Sequence, residues 1–333
     1  MCLQSSSNKT VSKNDGPGFR AVFLSPKLSN VTKRSQSSVG LLYGISAYLI
    51  WGSFPLIITA STFADPLETV VWRVVFGFLF AALLVSATRA WKPIIELIKS
   101  PKRLKWVAVA SLFIFINWET YVIAVATGNT IESSLGYFIN PLITILFAVV
   151  LLKERLRRTQ WVALGLGLVA VLILTFDYGR PPWIALILAF SFATYSLAKN
   201  KVGKSVPALQ SFTLESAIVM PIALIQLAFV MSMGSLTLFD GPFEATVLIG
   251  FGIMTAIPLI LFGAAASRIP LSSIGFIQYL TPILQFSTAY FILGEPMPPV
   301  RWIGFGLVWV SLVILTVDAL RNRQGKILAT EQS

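Results

Sequence analysis

The chain has 333 residues, of which 56% are hydrophobic and 12% charged, about half the charged share of an ordinary soluble domain. Its net charge is +12, and it holds no histidine and one cysteine, Cys2. This composition excludes a disulfide framework, a cysteine- or histidine-based metal site and any His-dependent triad, and it leaves a polytopic membrane protein.

Residues 1–38 are rich in Ser, Lys and Asn, with Asp15 the sole acid. Such a segment cannot build a core, so it reads as a disordered cytoplasmic tail. An organelle transit peptide is the alternative, being equally Ser-rich and acid-poor. Apolar runs long enough to cross a bilayer then predict ten transmembrane helices, over 40–60, 69–88, 106–126, 133–152, 160–176, 182–198, 209–232, 246–266, 271–293 and 301–320. Residues 321–333 form a second polar tail. Of the 26 Lys and Arg residues, all but Arg73, Arg180 and Arg301 fall in the tails or in loops on one side. That bias puts both termini in the cytoplasm. It also accounts for the net charge without nucleic acid, for which no basic-aromatic platform is present.

The chain is written twice. Pro141 and Pro282, Glu154 and Glu295, Trp161 and Trp302, Gly165 and Gly306, and Asp177 and Asp318 share an offset of 141 residues. The runs Ser133-Ser134-Leu135-Gly136-Tyr137 and Ser272-Ser273-Ile274-Gly275-Phe276 repeat the same unit. The repeats divide the chain into 39–177 and 182–320. Five spans per repeat is an odd number, so the second is inserted upside down. The fold class expected is an all-α membrane protein of two inverted-topology five-helix repeats, an arrangement that puts a substrate site at the repeat interface. Pro55, Pro141, Pro221, Pro258 and Pro282 fall inside spans, where each removes a backbone hydrogen bond.

Several of these residues also carry a family signature. Asn117-Trp118 with Tyr121, Glu132 through Leu142, Glu154-Arg155-Leu156 and Gln160-Trp161 resemble the RarD branch of the EamA family, in the drug/metabolite transporter superfamily. So do Glu215 with Pro221, Thr255 through Leu259 with Phe262, and Gln278-Tyr279 with Pro282. The resemblance covers 40–320 and implies a transporter of the inner or plasma membrane. Glu119, where an uncharged residue is expected, and the long N-terminal tail depart from the pattern.

Ionisable residues inside spans cost about 2.5–3.5 kcal/mol each on insertion, so each needs a reason. Arg73, Glu119 and Glu215 qualify. Arg73 and Glu215 sit at near-equivalent places in the repeats, where Arg73 would attract an anionic substrate group and Glu215 would bind a proton or cation. Anchoring of helix ends is the alternative for both. Glu119 points about 200° from Asn117, while Asn117 and Tyr121 share a face, so only one of the two polar groups can line a narrow path. Glu68, Glu132 and Glu244 lie at span edges, where they are expected to meet headgroups or water. A polar stripe of Ser133, Tyr137, Asn140 and Thr144 matches one of Gln278, Thr281, Gln285 and Thr288. The stripes read as walls of one cavity or as helix–helix hydrogen bonding.

The expected substrate-binding set is therefore Arg73, Asn117, Tyr121, Tyr137, Asn140, Gln278, Tyr279 and Gln285, with Glu119 and Glu215 for proton coupling. Trp51 and Trp118 are further aromatic candidates. No catalytic residue, metal or cofactor is expected; the partners are a small-molecule substrate and the lipid bilayer. Gly40 and Gly44 form a small-residue pair that leaves a homodimer open. Gly203-Lys204-Ser205 is no phosphate-binding loop, since Ala198 stands where that pattern needs glycine. The function expected is secondary active transport of a small organic solute by alternating access. A passive facilitator of the same fold, or an intramembrane enzyme using Glu119 or Glu215, is the rival.

Overall fold

The computed structural model describes residues 26–153, 156–202, 206–266, 268–269 and 277–331. Most of the N-terminal tail, Glu154-Arg155, the Gly203 to Ser205 run and the Ser272 to Phe276 run lie outside the described residues, so those readings are not addressed by the structure. Among the described residues every regular element is a helix. The first half holds α1 (Pro26–Gly52), α2 (Phe54–Ala60), α3 (Pro66–Ala87), α4 (Lys92–Ile98), α5 (Pro101–Ala126), α6 (Thr130–Leu152) and α7 (Arg158–Tyr178). The second holds α8 (Trp183–Val202), α9 (Ala208–Ser232), α10 (Pro242–Ala266), α11 (Leu280–Ser287), a π-helical turn (Thr288–Ile292) and α12 (Pro299–Glu331).

Eight of the described helical segments are long and apolar enough to cross a membrane. They correspond to eight of the ten expected spans. The sixth falls on Trp183–Lys199, a shorter apolar helix closed by the charge of Lys199. The ninth lies partly outside the described residues. Large apolar side chains such as Phe176, Ile225 and Leu83 stand exposed on the outside of the bundle. Lipid asks for such a surface and water does not.

Sequence-local rules set the breaks. Pro55 has no N–H, so the helix begun in α1 stops at Gly52 and restarts as α2. The Trp51 carbonyl that Pro55 leaves free takes a long hydrogen bond from Gln285 Nε2 at 3.4 Å. Thr281 Oγ1 donates to the neighbouring Tyr48 carbonyl at 2.9 Å. Asp65 caps α3 by accepting from Leu67 N, with Pro66 at its first turn. α7 ends on Gly179, whose φ of 63° is the left-handed cap that glycine adopts freely.

The packing exchanges the two halves. α5 packs on α8 as α10 packs on α1, and α6 packs on α8 as α11 packs on α1. Equivalent helices also pair directly and antiparallel. Gln226 of α9 reaches Leu67 at the start of α3, and Gln210 reaches Ala90 just past its end. In the second such pair, Asp177 at the end of α7 binds Arg301 at the start of α12, while Asp318 binds Arg157 at the start of α7. Two crossings need glycine. A Cβ on Gly252 would lie 2.5 Å from Gly77 N, and one on Gly136 would lie 2.8 Å from the Ala185 carbonyl.

Gly40 and Gly44 face inward. Added Cβ atoms would meet Arg268 and Ile269 at Gly40, and Ile277 and Ala265 at Gly44. That pair is used inside the chain, which corrects its reading as a face for a second copy.

Candidate substrate site

The two ends of the bundle differ in charge. One end gathers Glu68, Glu132, Asp177 and Glu295; the other gathers Arg103, Arg157, Lys199 and Arg268. Between them lies a buried cluster built mainly from α2, α3, α5 and α9, with Trp118, Tyr121 and Phe212 among its rings.

Arg73 sits in this cluster, 5% exposed. Its guanidinium lies 5.0 Å from the Phe54 ring centroid and 4.7 Å from that of Trp118. Nε and Nη1 have no hydrogen-bond partner, and Arg73 joins none of the ion pairs among the described residues. Two aromatic faces offset only part of the cost of burying a cation. The site therefore presents a guanidinium outside any ion pair among the described residues, with two free donor nitrogens.

Around it the polar groups divide into spent and unspent. Asn117 is spent: its Nδ2 donates to the Leu188 carbonyl at 3.1 Å and to Ser191 Oγ at 3.0 Å. Its Oδ1 accepts from Tyr137 Oη at 3.0 Å. The Tyr121 and Tyr137 rings meet edge to face at 5.8 Å. The Tyr121 hydroxyl neighbours the Gln285 amide, yet Tyr121 Oη and Gln285 Oε1 are both buried without a partner. Asn140 Oδ1 is unspent in the same way.

Glu119 faces α9, as the helical spacing from Asn117 requires. Its Oε1 accepts from Gln226 Nε2 at 2.6 Å, and that amide also donates to the Leu67 carbonyl at 3.0 Å. Glu119 Oε2 is buried with no partner. Glu215, by contrast, is neutralised. It accepts from Lys199 Nζ at 2.5 Å, from Ser211 Oγ at 2.6 Å and from Tyr195 Oη at 3.4 Å.

Of the expected set, Arg73, Asn117, Tyr121, Tyr137 and Gln285 converge. Tyr279 packs against a different cluster, with Phe138, Phe286 and Trp309. Gln278 is half-buried and Thr144 is exposed. Phe54 and Gln226 are additions. Phe54 carried no signal beyond an apolar residue before Pro55; Gln226 was visible as an amide deep within an apolar span, the second after Gln210.

The edge acids correct a sequence expectation. Glu68 is fully buried and Glu132 is 1% exposed; neither meets water or headgroups. Glu68 accepts from Trp72 Nε1, Thr237 N, Thr237 Oγ1 and Leu238 N at 2.8–3.1 Å. Glu132 pairs with Arg180 at 2.8 Å and accepts from Ile184 N at 3.0 Å. Glu295 accepts from Thr130 N and Ile131 N at 2.7 and 2.8 Å, capping α6.

An apolar multi-helix bundle with, among the described residues, eight helices able to cross a membrane is the build of a multi-pass membrane protein. The model of the EamA-like transporter family matches residues 38–176. Protein RarD of Streptomyces exfoliatus is 45% identical over 86% of this chain and 91% of its own length. Protein RarD of Escherichia coli K12 is 36% identical over 87% of this chain and 97% of its own. A solved crystal structure, 19% identical, superposes with a TM-score of 0.55 over 84% of this chain and 98% of its own, which speaks for the fold alone. The chain belongs to the EamA-like transporter family, in its RarD branch.

Proposed function

We propose that this chain is a secondary active carrier, and not an enzyme, that moves a small organic anion by alternating access coupled to protons. Its ground plan is ten transmembrane helices in two inverted repeats, with both termini cytoplasmic in the cell membrane. The antiparallel pairing of α3 with α9 and of α7 with α12 supports inversion, since equivalent helices of an inverted pair run in opposite directions. The exchange-symmetric packing of α1 and α8 supports it too. The family membership supports transport.

The single observation that carries the substrate class is Arg73. Its two free donors, held between Phe54 and Trp118 beside the unpartnered Tyr121 hydroxyl and Gln285 carbonyl, fit a carboxylate or phosphate on a flat or apolar body. Glu119 is the better proton carrier of the two acids. Its Oε2 is buried without a partner and it interacts electrostatically with Arg73, whereas Glu215 is already neutralised by Lys199 and serves to join α8 to α9. Coupling follows if a proton on Glu119 changes the local charge that the Arg73-bound anion meets.

The test is thermal stabilisation of the purified full chain by organic acids and by their neutral esters or amides, at two pH values. A ligand at a hundred times its Kd raises stability by about 2.7 kcal/mol. The anions should stabilise, the neutral analogues should not, and Arg73→Gln should abolish the response in a folded protein. Equal stabilisation by both series, or a response that survives Arg73→Gln, overturns the anion reading.

A further inference from the structure

The reciprocal ion pairs of α7 and α12 look alike on paper and differ in surroundings. Asp177 with Arg301 is closed: Arg301 Nε donates at 2.9 Å, its guanidinium lies 4.2 Å from the Tyr178 ring centroid, and Nη1 takes the Pro296 carbonyl at 2.8 Å. At the opposite end Asp318 takes Arg157 and Thr159. There a groove of about 530 Å³ opens beside the pair, and Arg158 and Arg321 also line it. Among the described residues three guanidinium groups and one carboxylate line it, and that carboxylate is paired with Arg157. Neither Arg158 nor Arg321 joins an ion pair among the described residues.

The floor of the groove is apolar. Val313, Ile314 and Val317 supply it, and Val313 and Val317 belong to the exposed face of α12 together with Val310 and Leu320. Both apolar spans end at this level, one beginning at Arg158 and the other closing at Asp318. Read along the helix axis, the groove passes from hydrocarbon-facing valines to unpaired arginines within two turns. A phospholipid presents the same order, from acyl chain to phosphate.

We propose that this groove is a binding site for one anionic phospholipid, its headgroup phosphate held by Arg158 and Arg321 and an acyl chain lying along Val313 and Val317. Free phosphate would use the arginines and leave the valines without a role, so the lipid is the occupant that uses both halves. The site is separate from the Arg73 cluster and does not depend on which solute is carried. Each arginine near an anionic headgroup contributes about fivefold in affinity, so the pair confers about thirtyfold.

Native mass spectrometry of the full chain, exchanged into mixed micelles of phosphatidylglycerol and phosphatidylcholine of equal chain length, tests the site. One retained phosphatidylglycerol is expected, preferred over phosphatidylcholine by about thirtyfold. The double variant Arg158→Ala with Arg321→Ala should lose that preference. A control at the same end but outside the groove, Arg89→Ala with Lys92→Ala, should keep it. The variants leave Arg157 and Asp318 in place, and circular dichroism reports whether each is folded. The proposal is overturned if the folded double variant keeps its preference, or if the control loses it equally, which would mark diffuse attraction by basic flanks. It is also overturned if inorganic phosphate alone displaces the lipid and stabilises the protein as well as the lipid does. A dimer that persists without lipid and buries the groove would assign the face to a second copy instead.

Discussion

The acidic end and the centre of the bundle both bury ionisable groups, and they treat them in opposite ways. At the end, Glu68, Glu132, Asp177 and Glu295 accept from backbone N–H groups or from arginines, joining helices far apart in sequence. At the centre, Arg73, Glu119, Tyr121, Asn140 and Gln285 each keep a buried polar atom without a partner. Unpaired polar atoms in an apolar surrounding are expensive, so a bundle retains them where something else supplies the partner. The paired acids are architecture; among the unpaired groups, which include Thr130 Oγ1 and Tyr178 Oη at the acidic end, the ionisable Arg73 and Glu119 are the candidates for work.

The comparison breaks most readily at Glu68. Replacing it with leucine strips acceptors from Thr237 N, Leu238 N and the Trp72 indole at once. A cost of about 3 kcal/mol or more is expected, because each orphaned donor carries its own penalty. The melting temperature should fall steeply, and whatever folded protein survives should still bind ligand. A well-folded Glu68→Leu protein that had lost ligand binding would move Glu68 into the centre's class. Gly252→Ala comes next. Its methyl would meet the Gly77 nitrogen at 2.5 Å and the Phe76 carbonyl carbon at 2.6 Å, both backbone atoms that cannot swing aside. Prising α3 from α10 should cost about 1–3 kcal/mol and shift Arg73, which α3 carries. Thermal denaturation together with ligand titration separates the two effects.

At the centre the signs reverse. Glu119→Gln removes an acid whose Oε2 has no partner, so stability should change by less than about 1 kcal/mol. The pH dependence of transport in proteoliposomes should flatten. Glu215→Gln removes the charge opposite Lys199 and should lower stability while leaving the pH profile in place. If the profile instead flattened in Glu215→Gln and persisted in Glu119→Gln, the assignments would exchange.

Much of the bundle could be read from the chain, because a lipid solvent demands long apolar runs. Arg73 could be read too, since a cation inside an apolar span needs a reason wherever it points. The roles of Glu68 and Glu132 could not. Glu68 accepts from the backbone N–H groups of Thr237 and Leu238, and Glu132 from that of Ile184 besides its pair with Arg180; a backbone donor leaves no mark in a sequence. Glu119 and Asn117 posed a choice of which one faces the site. Helical phase separated them, but only the packing of α5 on α8 showed Asn117 to be already bonded to Leu188 and Ser191. Tyr279 misled for the same reason: its place beside Gln278 fixed its turn of helix, not its neighbours.

The smallest effect separates the reciprocal ion pairs, and it sharpens the comparison within one class. Arg157 is 46% exposed and Arg301 is 15% exposed. Removing Arg157 lets water reach Asp318, which keeps its hydrogen bond from Thr159, so Arg157→Ala should cost no more than about 1 kcal/mol. Removing Arg301 forfeits the Tyr178 stack and the Pro296 carbonyl contact as well, while the two carboxylates are buried alike, Asp177 at 9% and Asp318 at 7% exposed. Arg301→Ala should therefore cost about 2 kcal/mol. Chemical denaturation of the two variants in the same detergent decides it. Equal losses would mean that burial around α7 and α12 does not set the worth of these pairs, and that satisfaction alone, not surroundings, distinguishes the end of the bundle from its centre.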